Sequence, residues 1–97
     1  MQNFRNKSTD RLLNTIMNMD SLNDCYEFFE DLCTIKELQD MAQRFETAIR
    51  LHEGQSYSTI AKEVGISTAT ISRVNRCLNY GDGGYKKAIN KLKEENK

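Results

Sequence analysis

Residues 57–78, with the sequence YSTIAKEVGISTATISRVNRCL, constrain the fold more than any other part of the chain. Ile60, Ala61 and Val64 recur at the spacing that gives a short helix one apolar stripe. Gly65 follows where a helix end favours a left-handed residue, because glycine has no Cβ to clash there. The pattern predicts a short helix that stops at a tight turn.

A second helix is predicted directly after this turn. Ile66 is expected to be the buried residue of the turn, and either Ser67 or Thr68 can cap the next helix through a side-chain oxygen. Three apolar residues then recur at three- and four-residue spacing and predict a buried face: Ile71, Val74 and Leu78. Two short helices joined by a glycine turn predict a helix-turn-helix.

The opposite face of the second helix carries side chains that suit the major groove of DNA. Small side chains, hydroxyl groups and arginines are what a groove-inserted helix presents to bases and phosphates. We therefore expect DNA binding, with Arg73 and Lys62 as phosphate contacts. The full expected DNA-binding set is Lys62, Ser67, Thr68, Ala69, Ser72, Arg73 and Arg76. The alternative for the same pattern is a helical hairpin that only packs, or that binds protein.

The composition fits one helical domain over residues 1–97. The chain has no proline, 38% apolar residues and helical spacing of those residues, which predicts an all-α fold of about six helices. The apolar fraction is low for a monomer of this size, so a core shared within a dimer would stabilise it. The expected parts are a flexible arm at 1–8, dimerisation helices at 9–53, the helix-turn-helix at 57–78 and a final helix at 84–92.

Side chains at the expected helix starts support this division. Residues 34–37, Thr-Ile-Lys-Glu, match a capping box, in which the first and last side chains each accept a hydrogen bond from the other residue's amide. This box opens the longest helix, expected to run to about Glu53 before Gly54 breaks the chain. The expected N-caps of the first two helices are Ser8 or Thr9 and then Ser21.

The charges are distributed unevenly although the net charge is zero. Residues 1–53 hold six Lys/Arg against ten Asp/Glu, whereas residues 54–97 hold eight against four. A basic half that contains the helix-turn-helix is the asymmetry expected when that end faces phosphate.

Other chemistries have little support in the sequence. The three cysteines, Cys25, Cys33 and Cys77, show no metal-binding spacing and are expected to be buried, reduced thiols. His52 is the single histidine and belongs to no catalytic motif, so we expect no metal site and no enzyme. No segment has the length of a membrane span or the apolar core of an export signal, so we expect a cytoplasmic protein.

Two segments resemble the Trp repressor family, and within it the YerC/YecD-type branch. They are TIKELQDMAQR at 34–44 and STATISRVNRCLNYGDGGY at 67–85, with the Gly54 break between them. The resemblance extends over about residues 22–92. It implies an intertwined, all-helical homodimer whose two DNA-binding heads enter successive major grooves about 34–36 Å apart. It also implies a cytoplasmic transcriptional regulator, most simply a repressor, that binds double-stranded operator DNA.

The same resemblance allows a comparison with the family's tryptophan site. Arg44 matches the arginine that stacks on the indole, Arg73 the arginine near the ligand carboxylate, and Thr70 a threonine of that pocket. Val74 stands where the repressor has glycine, and Cys77 where it has serine near the ligand's amino group. A branched side chain should fill the indole space, and loss of the hydroxyl removes a polar contact for the ammonium group. The resemblance therefore implies an effector pocket that does not respond to tryptophan, so no cofactor is expected.

These sequence features are compatible with two functions. The first is a homodimeric, sequence-specific DNA-binding transcriptional regulator. The alternative is a protein-interaction module of the transcription machinery, whose helix-turn-helix would bind a protein rather than a duplex. A stable complex with a protein partner in the absence of DNA would favour the alternative.

Overall fold

The computed structural model describes residues 4–95, and every regular element in that range is helical. The predicted all-α class and its six helices are confirmed, with no strand among these residues. The helices are α1 (Lys7–Met17), α2 (Leu22–Leu32), α3 (Ile35–His52), α4 (Tyr57–Ile60, continuing as a π-helix over Ala61–Gly65), α5 (Thr68–Tyr80) and α6 (Gly84–Glu95). Residues 1–3 of the expected N-terminal arm lie outside the described residues.

The chain divides into two compact units, one up to Leu38 and one from Gln39 onward. In the first unit, neither α1 nor α2 contains a buried residue. Their large apolar side chains are in solvent instead, with Met17 79% exposed and Leu22 75% exposed. The described part of the first unit therefore has no core of its own.

Local side-chain caps fix where the first two helices begin. α1 begins after Asn6, whose Oδ1 accepts a hydrogen bond from the Thr9 amide at 2.9 Å. The prediction of Ser8 or Thr9 as this cap is wrong, because both lie inside the first turn. The Thr9 hydroxyl instead donates back to the Phe4 carbonyl at 2.7 Å. The Ser21 cap of α2 is confirmed.

The predicted capping box opens α3. The Thr34 amide donates to Glu37 Oε1 at 2.8 Å, and the Glu37 amide donates to Thr34 Oγ1 at 3.0 Å. The helix ends at His52, one residue before the expected end. Gly54 follows with φ of +87°, and its amide donates to the Leu51 carbonyl at 3.0 Å, which satisfies a carbonyl left free at the helix end.

The core of the second unit combines residues of α3, α5 and α6. Its buried members are Ala48, Val74, Leu78 and Ile89, none more than 5% exposed. Ile60 of α4 and Ile71 of α5 are completely buried as well. The buried face predicted for the second helix of the helix-turn-helix is therefore confirmed, and α5 is held by its inner face.

The cysteines are more exposed than the sequence predicts. Cys77 is exposed, and Cys25 and Cys33 are half-buried, so the prediction of a buried thiol is wrong for Cys77. Cys77 directly precedes Leu78 on α5, and a step of one residue turns a helical side chain by about 100°, which takes the thiol off the buried face. All three cysteines are unpaired thiols.

Candidate nucleic-acid interface

The turn between α4 and α5 has the geometry that its glycine predicts. Gly65 lies at φ +79°, and a Cβ built there would meet no atom within 4 Å, so conformation rather than space requires glycine. Ser67, not Thr68, caps α5, since its Oγ accepts a hydrogen bond from the Thr70 amide at 3.2 Å. Ile66, expected to be buried, is half-buried, because an extended linker residue at the surface keeps one side in solvent.

The last turn of α4 is a π-helix, which the sequence analysis does not anticipate. It covers Ala61–Gly65 and includes Lys62 and Glu63. A π-helix forms i→i+5 hydrogen bonds and occurs mostly as a single turn, frequently at functional sites. Composition and apolar spacing do not distinguish such a turn from an ordinary one, so neither could predict it.

The residues expected to bind DNA are all on the surface of the second unit. The exposed set comprises Lys62, Ser67, Thr68, Ala69, Ser72, Arg73 and Arg76. Ala69, Ser72, Arg73 and Arg76 recur at three- and four-residue spacing, so they share one face of α5, and this face lies opposite the buried one. α5 has 13 residues and is about 20 Å long at 1.5 Å per residue. A basic, hydroxyl-rich helix of this length has the dimensions for a major groove.

Two members of this set differ from the others in their surroundings. The Ser67 hydroxyl is engaged within the cap, 3.0 Å from the Thr70 hydroxyl in addition to its bond from the Thr70 amide. Lys62 lies on α4 rather than α5, in the π-helical turn. The helix-turn-helix thus presents one face of α5 together with a lysine from the preceding helix.

The five positions compared with the tryptophan site have different environments. Val74 is 2% exposed and belongs to the core with Ala48 and Leu78, so its side chain is part of the packing of α5. Thr70 is half-buried and its hydroxyl lies against Ser67. The remaining three positions are exposed: Arg44, Arg73 and Cys77.

Tyr85 of α6 lies within electrostatic range of two of these positions. Burial raises the pKa of the Tyr85 phenol, the positive charge of Arg44 lowers it, and the Cys77 thiol raises it. Tyr85 also packs against the core cluster that α3, α5 and α6 form. Tyr85 is not among the expected effector-pocket residues, although its helical spacing with Ile89 and Leu92 was a usable signal of a packed position.

Arg50, which the sequence does not mark as unusual, forms a group of hydrogen bonds beside the helix-turn-helix. Its Nε donates to Glu46 Oε2 at 2.9 Å, and its Nη1 donates to Glu63 Oε1 and, at 3.4 Å, to Gln55 Oε1. The two carboxylates raise the pKa of the guanidinium through these hydrogen bonds, with Glu46 the larger contribution. The spacing of Glu46 and Arg50 on one helix was a visible signal, whereas Glu63 lies 13 residues away in sequence.

The described residues contain no group of side chains suited to bind a metal ion. Among residues 4–95, no three or more His, Cys, Asp or Glu side chains are grouped so that they could hold a metal ion. His52 is exposed at the end of α3. In the same range, no helix combines the length and the apolar character needed to cross a bilayer.

Comparison with known proteins places this chain within one family. The sequence profile of the Trp repressor protein family matches residues 7–93. The chain is 53% identical over 91 residues to YerC of Bacillus subtilis (strain 168), a protein of uncharacterised function, covering 94% of this chain and 88% of YerC.

Two crystal structures are similar to this one over most of their length. A TrpR-like protein from Eubacterium eligens ATCC 27750 has 45% sequence identity and a TM-score of 0.87, with 91% of each chain covered. A Trp repressor candidate from Staphylococcus aureus has 39% identity and a TM-score of 0.90, with 96% of this chain and 95% of that one covered. The profile match over most of the chain and these relatives lead to one assignment: the protein belongs to the Trp repressor family.

Proposed function

We propose that this protein is a sequence-specific, DNA-binding transcriptional regulator, most simply a repressor, that acts on operator DNA in the cytoplasm. The observation that carries the proposal is the outer face of α5. It presents Thr68, Ala69, Ser72, Arg73 and Arg76 to solvent while the inner face is packed into the core. A rigidly held helix with small, hydroxyl and arginine side chains outward suits insertion into a major groove.

Each outward residue has an assigned role in this proposal. Thr68, Ala69, Ser72 and Arg76 contact base edges or the adjoining backbone, and Arg73 contacts phosphate. Lys62 adds a phosphate contact from α4. Ser67 contributes by capping α5, which fixes the position where the helix meets the duplex.

The protein acts as a homodimer in this proposal, and the first unit supports it. α1 and α2 bury no residue within the chain, although both have a marked apolar face. A helix of about eleven residues is marginal alone in water and needs tertiary packing of that face. A second copy of the chain supplies this packing symmetrically, and a two-fold dimer accounts for binding to a two-fold-symmetric site.

Selection from a random pool of DNA duplexes tests the proposed function. The purified full-length protein is expected to enrich a two-fold-symmetric site whose half-sites are about one helical turn apart. Enrichment of no sequence would contradict sequence-specific binding. If the same preparation captured RNA polymerase or another transcription protein without DNA, the interaction-module alternative would replace it.

We also propose that tryptophan is not the effector. Val74 occupies the position that is glycine in the tryptophan-binding repressor, and here its side chain is 2% exposed within the core. Accommodating an indole would require this packed side chain to move, and Cys77 lacks the hydroxyl that the ligand's ammonium group would use. Calorimetry is expected to show no saturable heat on titration with tryptophan; saturable binding at micromolar tryptophan would contradict the proposal.

A further inference from the structure

Arg50 has an environment unlike that of the other basic residues. It is half-buried, with 23% of its side chain exposed, whereas every other lysine and arginine among residues 4–95 is exposed. A basic residue that serves as a phosphate contact needs its charge in solvent, where DNA can reach it. The surroundings of Arg50 point to a role within the protein.

The contacts of Arg50 join three consecutive parts of the chain. Arg50 itself is in the last turn of α3, and Glu46 lies one turn earlier on the same helix. Gln55 lies in the linker that follows, and Glu63 lies in the π-helical turn of α4. One guanidinium therefore connects the end of α3 to the first helix of the helix-turn-helix, using the several donors that arginine holds in one plane.

The position of Glu63 determines what the connection between α3 and α4 can affect. Glu63 directly follows Lys62, the lysine that presents a charge from α4. α5 is fixed by its buried inner face, but α4 places a single completely buried residue, Ile60, against the rest of the unit. α4 is short, so its orientation depends strongly on each contact it makes.

We propose that Arg50 is a positioning residue that holds α4 on α3 and thereby fixes where Lys62 and the turn before α5 meet the DNA backbone. This proposal rests on the DNA-binding function proposed above. Arg50 contacts no DNA itself. It acts through Glu63, with Gln55 as a second acceptor, while the pair with Glu46 orients the guanidinium.

Amide hydrogen exchange on the full-length protein without DNA tests the link directly. Arg50→Met and Glu63→Gln are each expected to speed exchange of the α4 amides, such as that of Ile60, by about three- to tenfold. The amide of Leu78 in the core of α5 is expected to keep its wild-type rate, which separates a local release of α4 from general destabilisation. Unchanged α4 exchange in both variants would overturn the proposal.

Glu46→Gln is the matched control. It makes the same charge change as Glu63→Gln, at a carboxylate that pairs with the same guanidinium, but it leaves the connection between α3 and α4 intact. Its α4 amides are expected to exchange at nearly the wild-type rate. Faster α4 exchange in Glu46→Gln than in Glu63→Gln would overturn the assignment of Glu63 as the decisive partner.

Measurements of DNA affinity then distinguish a positioning role of Arg50 from a simple effect of the protein's net charge on binding. Arg50→Met makes the protein more negative and Glu63→Gln makes it more positive, yet both are expected to weaken binding to the selected duplex by about three- to tenfold if geometry decides. Arg50→Lys is expected to restore part of the affinity. Opposite effects of Arg50→Met and Glu63→Gln would overturn positioning in favour of simple electrostatics. If the wild-type protein selects no duplex, the DNA-binding function fails, while the exchange rates still decide whether Arg50 holds α4.

Discussion

Gly65 shows how a single position fixes the turn of the helix-turn-helix. Its φ of +79° lies where side chains with a Cβ are strained, while the space around it is open. The constraint is therefore carried by the backbone alone. Gly84 offers a comparison, because it begins α6 without a positive φ and also has open space at its Cβ position.

Substituting these two glycines by alanine is expected to change the free energy of unfolding differently. Gly65→Ala should lower the free energy of unfolding by about 1–2 kcal/mol, since it forces alanine into the left-handed region. Gly84→Ala should leave it unchanged or raise it by up to about 1 kcal/mol, since alanine favours a helix and restricts the unfolded chain. Urea denaturation of both variants measures the difference. Equal destabilisation by the two would show that the turn does not depend on the conformation of Gly65.

What could be predicted from the sequence depends on the distance over which an interaction acts. The capping box of Thr34 and Glu37 is a pattern of four residues and was predictable to the atom. The N-cap of α1 could not be predicted in this way. Ser8 and Thr9 are also good N-cap residues, and the neighbouring sequence does not show that Asn6 is used instead. Hydrophobic spacing identified the buried face of α5, but it did not show that the neighbouring Cys77 side chain would be exposed.

Longer-range features could not be predicted from a single sequence. The bond between Arg50 and Glu63 depends on how α4 returns to α3, and the separation of 13 residues carries no periodic signal. The π-helical turn depends on backbone hydrogen bonding that residue types do not specify. Most of the expected DNA-binding residues required only the prediction of one face of α5, and these residues are exposed in the structure.

α5 has a packed face and a solvent-exposed face on opposite sides of the helix. Val74 and Leu78 hold it in the core, and Arg73 and Arg76 extend into solvent on the other side. The rigid attachment matters because a helix that enters a groove must keep its register against the base edges. Substitutions on the outer face should therefore change DNA binding without changing the fold.

Arg73→Ala is expected to weaken binding to the selected duplex at low salt and to lower the slope of log affinity against log salt by about one. The reason is that one fewer phosphate is neutralised. Lys93→Ala is the control, since it removes an exposed positive charge from the last turn of α6. Fluorescence anisotropy titrations at several salt concentrations measure both slopes. An unchanged slope in Arg73→Ala would contradict its assignment as a phosphate contact.

The first unit exposes many large apolar side chains. Its exposed large apolar residues are Phe4, Leu13, Met17, Leu22, Tyr26, Leu32 and Ile35. So many exposed large apolar side chains, five of them on the 11-residue helices α1 and α2, are typical of a surface that another subunit covers. We expect the protein to fold and dimerise together, so that its stability rises with concentration.

Leu22→Glu tests this expectation. Leu22 is 75% exposed in one chain, so a carboxylate there costs little in a monomer, but it would be desolvated in a dimer interface. The dissociation constant of the dimer is expected to rise at least about tenfold, as for a central interface residue. Tyr80→Glu is the control, because Tyr80 is 86% exposed and lies in the second unit. If sedimentation equilibrium shows the same mass and affinity for Leu22→Glu and wild type, this result would contradict the expectation that the exposed apolar face of the first unit forms the dimer interface.

The most direct test of whether α5 reads operator DNA is to compare the sequence motifs that wild type and variants of the exposed α5 face select from a random pool of duplexes. Thr68→Ala and Ser72→Ala remove hydroxyls from the exposed face, whereas Thr15→Ala removes one from α1. Each α5 variant is expected to relax the selected bases at symmetric positions in both half-sites, and Thr15→Ala is expected to reproduce the wild-type motif. The same motif from wild type and from both α5 variants would show that α5 does not read the operator.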